Sequence, residues 1–109
     1  FGVPVVRRPS PTVATVAGGG YIASGAPGKD RLPTPWAPPG LEWTGLEGVG
    51  EVQTPLTGPA APRLRVGDWV WFRHAKSGEI MEHTNDVLLV SGDEVVDTVK
   101  SYRGLGHAW

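Results

Sequence analysis

The 109 residues contain no cysteine. Disulfides and thiolate metal ligands are therefore excluded, and a cytoplasmic location is the expectation. An excess of positive charge is also missing: ten Lys and Arg stand against eleven Asp and Glu, for a net charge of −1. No basic field exists to hold nucleic acid. No stretch approaches the roughly 18 apolar residues that a membrane span needs, and no signal peptide is visible. The initiator methionine is absent as well. The chain opens at Phe1 inside an apolar, proline-punctuated phrase, FGVPVVRRPSP, which reads as a piece cut from a longer protein. Helical periodicity is nearly absent, because Gly or Pro interrupts almost every window long enough for a helix.

What the chain has is turn chemistry and aromatics: 16 Gly, 11 Pro and 5 Trp. That mixture predicts an all-β domain, a small barrel or distorted sandwich of short strands joined by long Gly/Pro-rich loops. Thr12–Ala17 (TVATVA) alternates and is β-branched, and it runs into Gly18-Gly19-Gly20, which predicts a sharp bend or a close backbone approach. Tyr21–Ala23 is expected to resume the strand. Residues 24–40 hold five prolines and read as loop. Leu41–Leu46 and Glu51–Thr54 read as short strands, and residues 55–63 as another loop. The run Trp69-Val70-Trp71-Phe72-Arg73-His74 is strongly β-prone, with both faces apolar enough to be buried. Val87–Val90 and Glu94–Val99, joined by Ser91-Gly92-Asp93, read as a β-hairpin. Trp69, Val70, Trp71, Phe72, Val87, Leu89 and Val95 are the expected core.

The segment WFRHAKSGEIMEH, residues 71–83, carries the densest chemistry. His74, Glu79, Glu82 and His83 fall within ten positions. Zinc or manganese could use His74 with Glu79 or His83 if the chain folds back across Ser77-Gly78. If the strand continued past His74, its same-face partner would be Lys76, whose ammonium cannot coordinate a metal. A polar hairpin tip in solvent explains the same spacing. The triple glycine lacks the helix and lysine of a phosphate-binding loop. No Ser-His-Asp arrangement and no paired-carboxylate signature stands out.

At RLRVGDWVWFRHA, followed by NDVLLVSGDEVVDTVKSYRGLGHAW, the chain resembles the C-terminal β-domain of the D-threonine aldolase and D-serine dehydratase-like family. TVATVAGGGYIASG looks like that family's strand leading into a small-residue turn, GLEGVGEVQ like its acidic, glycine-containing segment, and SYRG like its closing Arg-Gly. The order and spacing of these pieces over nearly the whole chain carry the resemblance.

The resemblance implies that residues 1–109 are one C-terminal domain of a larger enzyme. The missing N-terminal partner would be a (β/α)8 barrel whose lysine binds pyridoxal phosphate. Alone, the chain would be inactive. The whole enzyme would be a homodimer in which this domain closes the active site over a D-3-hydroxy amino acid, for aldolase-like or dehydratase-like chemistry; deamination and racemisation are the related outcomes. It further implies a divalent metal, manganese or zinc, on a His and, two residues on, an Asp or Cys. His74 matches the first position and Lys76 stands at the second. An alignment anchored on Asn85 instead places Glu79 and Met81 at the pair. His74 and Lys76 are therefore the candidate catalytic residues, and His74 and Glu79 the candidate metal ligands. Lys76 beside His74 would replace the metal's charge with an ammonium. A domain cut from such an enzyme should also expose an apolar patch where the barrel packed. The rival reading is a non-catalytic β-barrel module that binds peptide or sugar on Trp36 and Trp43.

Overall fold

A computed structural model describes residues 1–107. They form two compact units, Phe1–Ala75 and the segment from Lys76 onward. The chain is nearly all β, and a five-residue helix is the one α-helix among the described residues. No described helix is long and apolar enough to cross a membrane.

The first unit contains β1 (Gly2–Ser10), β2 (Val13–Ala17), β3 (Thr34–Ala37), β4 (Glu42–Trp43), β5 (Gln53–Thr57) and β6 (Trp69–Arg73). They make one antiparallel sheet in the order β3-β6-β1-β2-β5-β4, curled into a nearly closed barrel. Its interior is filled by Val5, Val16, Leu41, Leu56, Val70 and Phe72, with small Ala14, Ala60 and Ala61 where segments approach closely. Each of the long side chains comes from a strand or its flank, so period-two alternation delivers them to one side.

β1 was not expected. Pro4 and Pro9 disguise it, yet a proline inside a strand removes only its own amide donor. Here the neighbouring Val5 amide bonds the Asp68 carbonyl at 2.8 Å and the Val5 carbonyl accepts from Gly67 at 2.8 Å. β3 was read as loop for the same reason; it lies at the sheet edge, where Pro35 is tolerated. β5 begins at Gln53 and continues through Pro55 into the segment expected to be loop. Tyr21–Ala23 does not resume a strand.

The triple glycine bends as expected. Gly18 and Gly19 have positive φ, 69° and 104°. A Cβ on Gly19 would lie 2.8 Å from Thr54 Oγ1, and one on Gly20 2.7 Å from the backbone of Gly50 and Glu51. Thr54 joins these segments: its hydroxyl donates to the Gly18 carbonyl at 2.6 Å and accepts from the Gly50 amide at 3.2 Å. On the other side of the unit, the Arg8 guanidinium donates to the carbonyls of Pro11 (2.7 Å), Ala61 (2.9 Å), Pro62 (3.2 Å) and Leu64. One cation thus ties the turn after β1 to the 3-10 segment Ala61–Arg63.

The second unit holds α1 (Ser77–Met81) and the hairpin β7 (Asp86–Ser91) and β8 (Glu94–Lys100). The hairpin's turn is the expected one, with Gly92 at φ 62°. Lys100 bonds Asp86 at 2.5 Å across its open end. The segment for which a polar hairpin tip is one of the readings is helical instead.

The expected core needs correction at five positions. Val70 and Phe72 are buried, but Trp69 and Trp71 are 57% and 53% exposed. Alternation sends them to the opposite face of β6, so only one face of the WVWF strand is interior. Leu89 and Val95 are 42% and 57% exposed, and Val87 is half-buried. They belong to a two-stranded sheet, and the second unit contains no other sheet among the described residues.

Candidate functional site

β6 ends at Arg73, one residue short of the expected strand. His74 is exposed, and no hydrogen bond or ion pair involving it forms among the described residues. The same-face argument for His74 and Lys76 needed a strand running through both, and that condition is not met. Lys76 has extended backbone (φ −135°, ψ 140°) and is the residue from which α1 starts. His74 lies in the first unit and Lys76 and Glu79 in the second.

What the second unit does bring together is Glu79 and His83. They sit one helical turn apart on α1 and its C-terminal extension, with His83 Nε2 3.2 Å from Glu79 Oε1. Tyr102 joins them from beyond β8, its hydroxyl donating to the Gly78 carbonyl at 2.8 Å. Desolvation, then the carboxylates of Glu82 and Glu79, push the Tyr102 phenol above its ordinary value. A neutral phenol at neutral pH is therefore firmly a donor here.

These residues do not make a metal site of the expected kind. Among the described residues no three His, Asp or Glu side chains gather as a metal would require. Glu79 is engaged by His83, and the position two after His74 is an ammonium. The donor set does not fit a divalent cation. A phosphate cradle at the triple glycine fares no better. The amides of Gly18, Tyr21 and Ile22 already donate to the carbonyls of Val52, Gly19 and Gly20.

An aromatic surface that the spacing of WVWF left ambiguous is prominent on the first unit. The Trp69 and Trp71 rings lie 6.4 Å apart at 29°. Both lie down over Gly2, where a Cβ would come within 3.0 Å of Trp71 and 3.2 Å of Trp69. Gly2 pairs directly with Trp71 across β1 and β6, so the missing side chain is what lets the indoles lie flat. Next along β6, Arg73 stacks its guanidinium 3.8 Å above the Trp36 ring, itself mostly exposed. Trp43 is different: it is half-buried against the core, and its Nε1 is enclosed without a partner.

The arrangement of strands has a counterpart among solved structures. A D-threonine aldolase from Filomicrobium marinum matches this chain with a TM-score of 0.68 at 19% sequence identity, over 94% of this chain and 27% of its own. The fold is shared with part of that enzyme. This chain spans about a quarter of the aldolase's length. No protein-family model and no curated protein matches the sequence.

Proposed function

We propose that residues 1–109 form the C-terminal β-domain of a larger pyridoxal-phosphate-dependent enzyme that acts on a D-3-hydroxy amino acid, by aldolase-like or dehydratase-like chemistry. The observation that carries this reading is the fold shared with a quarter of a D-threonine aldolase over 94% of this chain. The order of RVGDWVWFRHA and SYRG supports it from the sequence. So does the exposure of Trp69 and Trp71 in one unit and of Leu88, Val90, Val95 and Val96 in the other, which a partner domain would cover.

In this reading the cofactor belongs to an N-terminal (β/α)8 barrel, and the working enzyme is a homodimer. Pyridoxal phosphate, when bound there, supplies the electron sink for chemistry at the amino acid's α-carbon. The β-domain's part is to exclude water and to orient the substrate. Lys76 donates a charge-assisted hydrogen bond to the substrate's β-hydroxyl or carboxylate, where relatives are expected to place a cation. His74, exposed just after β6, is the other candidate to hydrogen-bond the substrate.

The test is turnover of D-threonine and D-serine by the full-length enzyme, with and without chelator, alongside Lys76→Met. Release of glycine or pyruvate that survives chelation and falls at least tenfold in K76M is the expected result. Activity abolished by chelation and restored by manganese or zinc would overturn the role of Lys76 and return His74 and Glu79 as metal ligands. No pyridoxal-phosphate absorbance in the full-length protein would overturn the enzyme reading itself. The binding-module reading retains one of its two anchors, since Trp36 is exposed and Trp43 is not. Saturable quenching of Trp36 fluorescence by a glycan or peptide would support it.

A further inference from the structure

A cleft on the outer face of the first unit is used by neither reading. Its floor is a row that crosses the sheet. Arg7 on β1 pairs with Thr15 on β2, Thr15 pairs with Pro55 on β5, and the Thr44 amide donates to the Pro55 carbonyl at 3.4 Å. Thr15 points away from Ala14 and Val16, which enter the core, yet it is fully buried. The turn after β4 stands over this row, closed by the Gly48 amide donating to the Thr44 carbonyl at 3.1 Å. Between that turn and β1 lies a solvent-open cleft of about 640 Å³, within the usual range of small-molecule sites.

Two features of the cleft point to a ligand. The hydroxyls of Thr15 and Thr44 are both enclosed, and neither has a hydrogen-bond partner among the described residues. Buried hydroxyls are nearly always paired, so two orphans in one cleft form an unfilled polar site. Arg7 is the second. Its Nε donates to Gln53 Oε1 at 3.2 Å, and Gln53 Nε2 donates to Glu47 Oε1 at 3.1 Å. This relay fixes the guanidinium by one nitrogen and leaves its two terminal nitrogens without a partner among the described residues. Pro9, Val13, Pro55 and the fully exposed Leu46 supply the apolar walls.

We propose that this cleft binds a small monocarboxylate with a branched apolar body. The paired terminal nitrogens of Arg7 match a carboxylate's two oxygens, a geometry a lysine could not offer. The threonine hydroxyls donate to the carboxylate or accept from a neighbouring polar group. Leu46 closes on the apolar body and loses its exposure. Glu47 lines the same cleft and repels a second negative charge, so dicarboxylates and phosphate are disfavoured. The proposal stands on the first unit alone and does not depend on the pyridoxal-phosphate reading.

The experiment is a titration of the full-length protein carrying methyl-labelled Thr, Val and Leu, followed by NMR. The probe is 3-methylbutanoate, with 3-methylbutanamide and succinate as controls. Saturable shifts of the Val13, Thr15, Thr44 and Leu46 methyls are expected with 3-methylbutanoate, in the millimolar range. The amide and succinate should bind at least tenfold more weakly. Arg7→Met should lose the response. Thr15→Val should retain the fold, since the hydroxyl it removes has no partner, and weaken binding several-fold; Thr44→Val gives the same reading if T15V does not fold. Absence of saturable shifts, equal response to the amide, or unchanged titration in R7M would each overturn the proposal.

Discussion

The two units are built from equally β-prone sequence and treat it in opposite ways. In the first, Val5, Val16, Leu56 and Val70 are essentially removed from solvent. In the second, Leu88, Val90, Val95 and Val96 are all exposed, and Ser101 is its only fully buried described residue. The difference is strand number. Six strands can curl until one face closes on itself, whereas two strands have no interior, whatever side chains they carry. Apolar alternation therefore specifies a strand in both units and a core in only one.

The largest expected effect that separates them is Leu56→Ala, which should destabilise the first unit by about 2–5 kcal/mol through the cavity it leaves. Chemical denaturation followed by tryptophan fluorescence measures it; a loss within experimental error would mean that the barrel interior is not the stabilising core. Gly20→Ala should come next, at roughly 1–3 kcal/mol, because the new methyl meets backbone that cannot rotate away. Thr54→Val is comparable or slightly smaller, about 1–3 kcal/mol. It deletes two hydrogen bonds and leaves the Gly18 carbonyl and Gly50 amide unpaired.

The second unit should respond weakly to truncation of its apolar side chains. Leu89→Ala is expected to change the stability of the isolated chain by less than about 0.5 kcal/mol. The same substitution in the full-length protein should cost several times more if a partner domain covers the hairpin. Equal small effects in both settings would break the link drawn between exposure and a missing partner. Amide hydrogen exchange offers an independent check, with β7–β8 amides exchanging faster than those of β2 and β5 in the isolated chain and slowing in the full-length protein.

The subtlest prediction concerns pH. The Tyr102 phenol is raised by desolvation and by Glu82 and Glu79, so the folded state holds the proton more tightly than the unfolded state. Its contribution to stability is fully present below the unfolded value of 10.0 and is lost as pH rises through the higher folded value. Ultraviolet titration of the phenolate should show a late midpoint that moves back towards 10.0 in Glu79→Gln/Glu82→Gln. An unmoved midpoint would assign the whole shift to desolvation.

Much of the architecture was legible in the sequence. The hairpin could be read because Ser91-Gly92-Asp93 interrupts two β-branched runs, and the bend at Gly18 because only glycine follows β2 there. β1, β3 and most of β5 were hidden by Pro4, Pro9, Pro35 and Pro55. Proline is a poor strand former in general, but here the ladder bonds fall on neighbouring amides or the strand lies at an edge. Alternation divided Val70 and Phe72 from Trp69 and Trp71, but it says nothing about which set faces inward; that depends on where β1 and β3 lie. The candidate site was less legible. His74 could be named from its position after β6, but the helix at Ser77–Met81 was not foreseen, since five residues with one glycine give no helical period. The cleft at Thr15 left no trace, because nothing in the chain signals that residues 7, 15 and 55 align across three strands with residue 44 beside them.

The Arg8 clamp has one more consequence. A guanidinium stays charged at any pH a protein meets, and carbonyl oxygens do not titrate. The link between the turn after β1 and the segment Ala61–Arg63 is therefore held by a tie that proton concentration cannot reach.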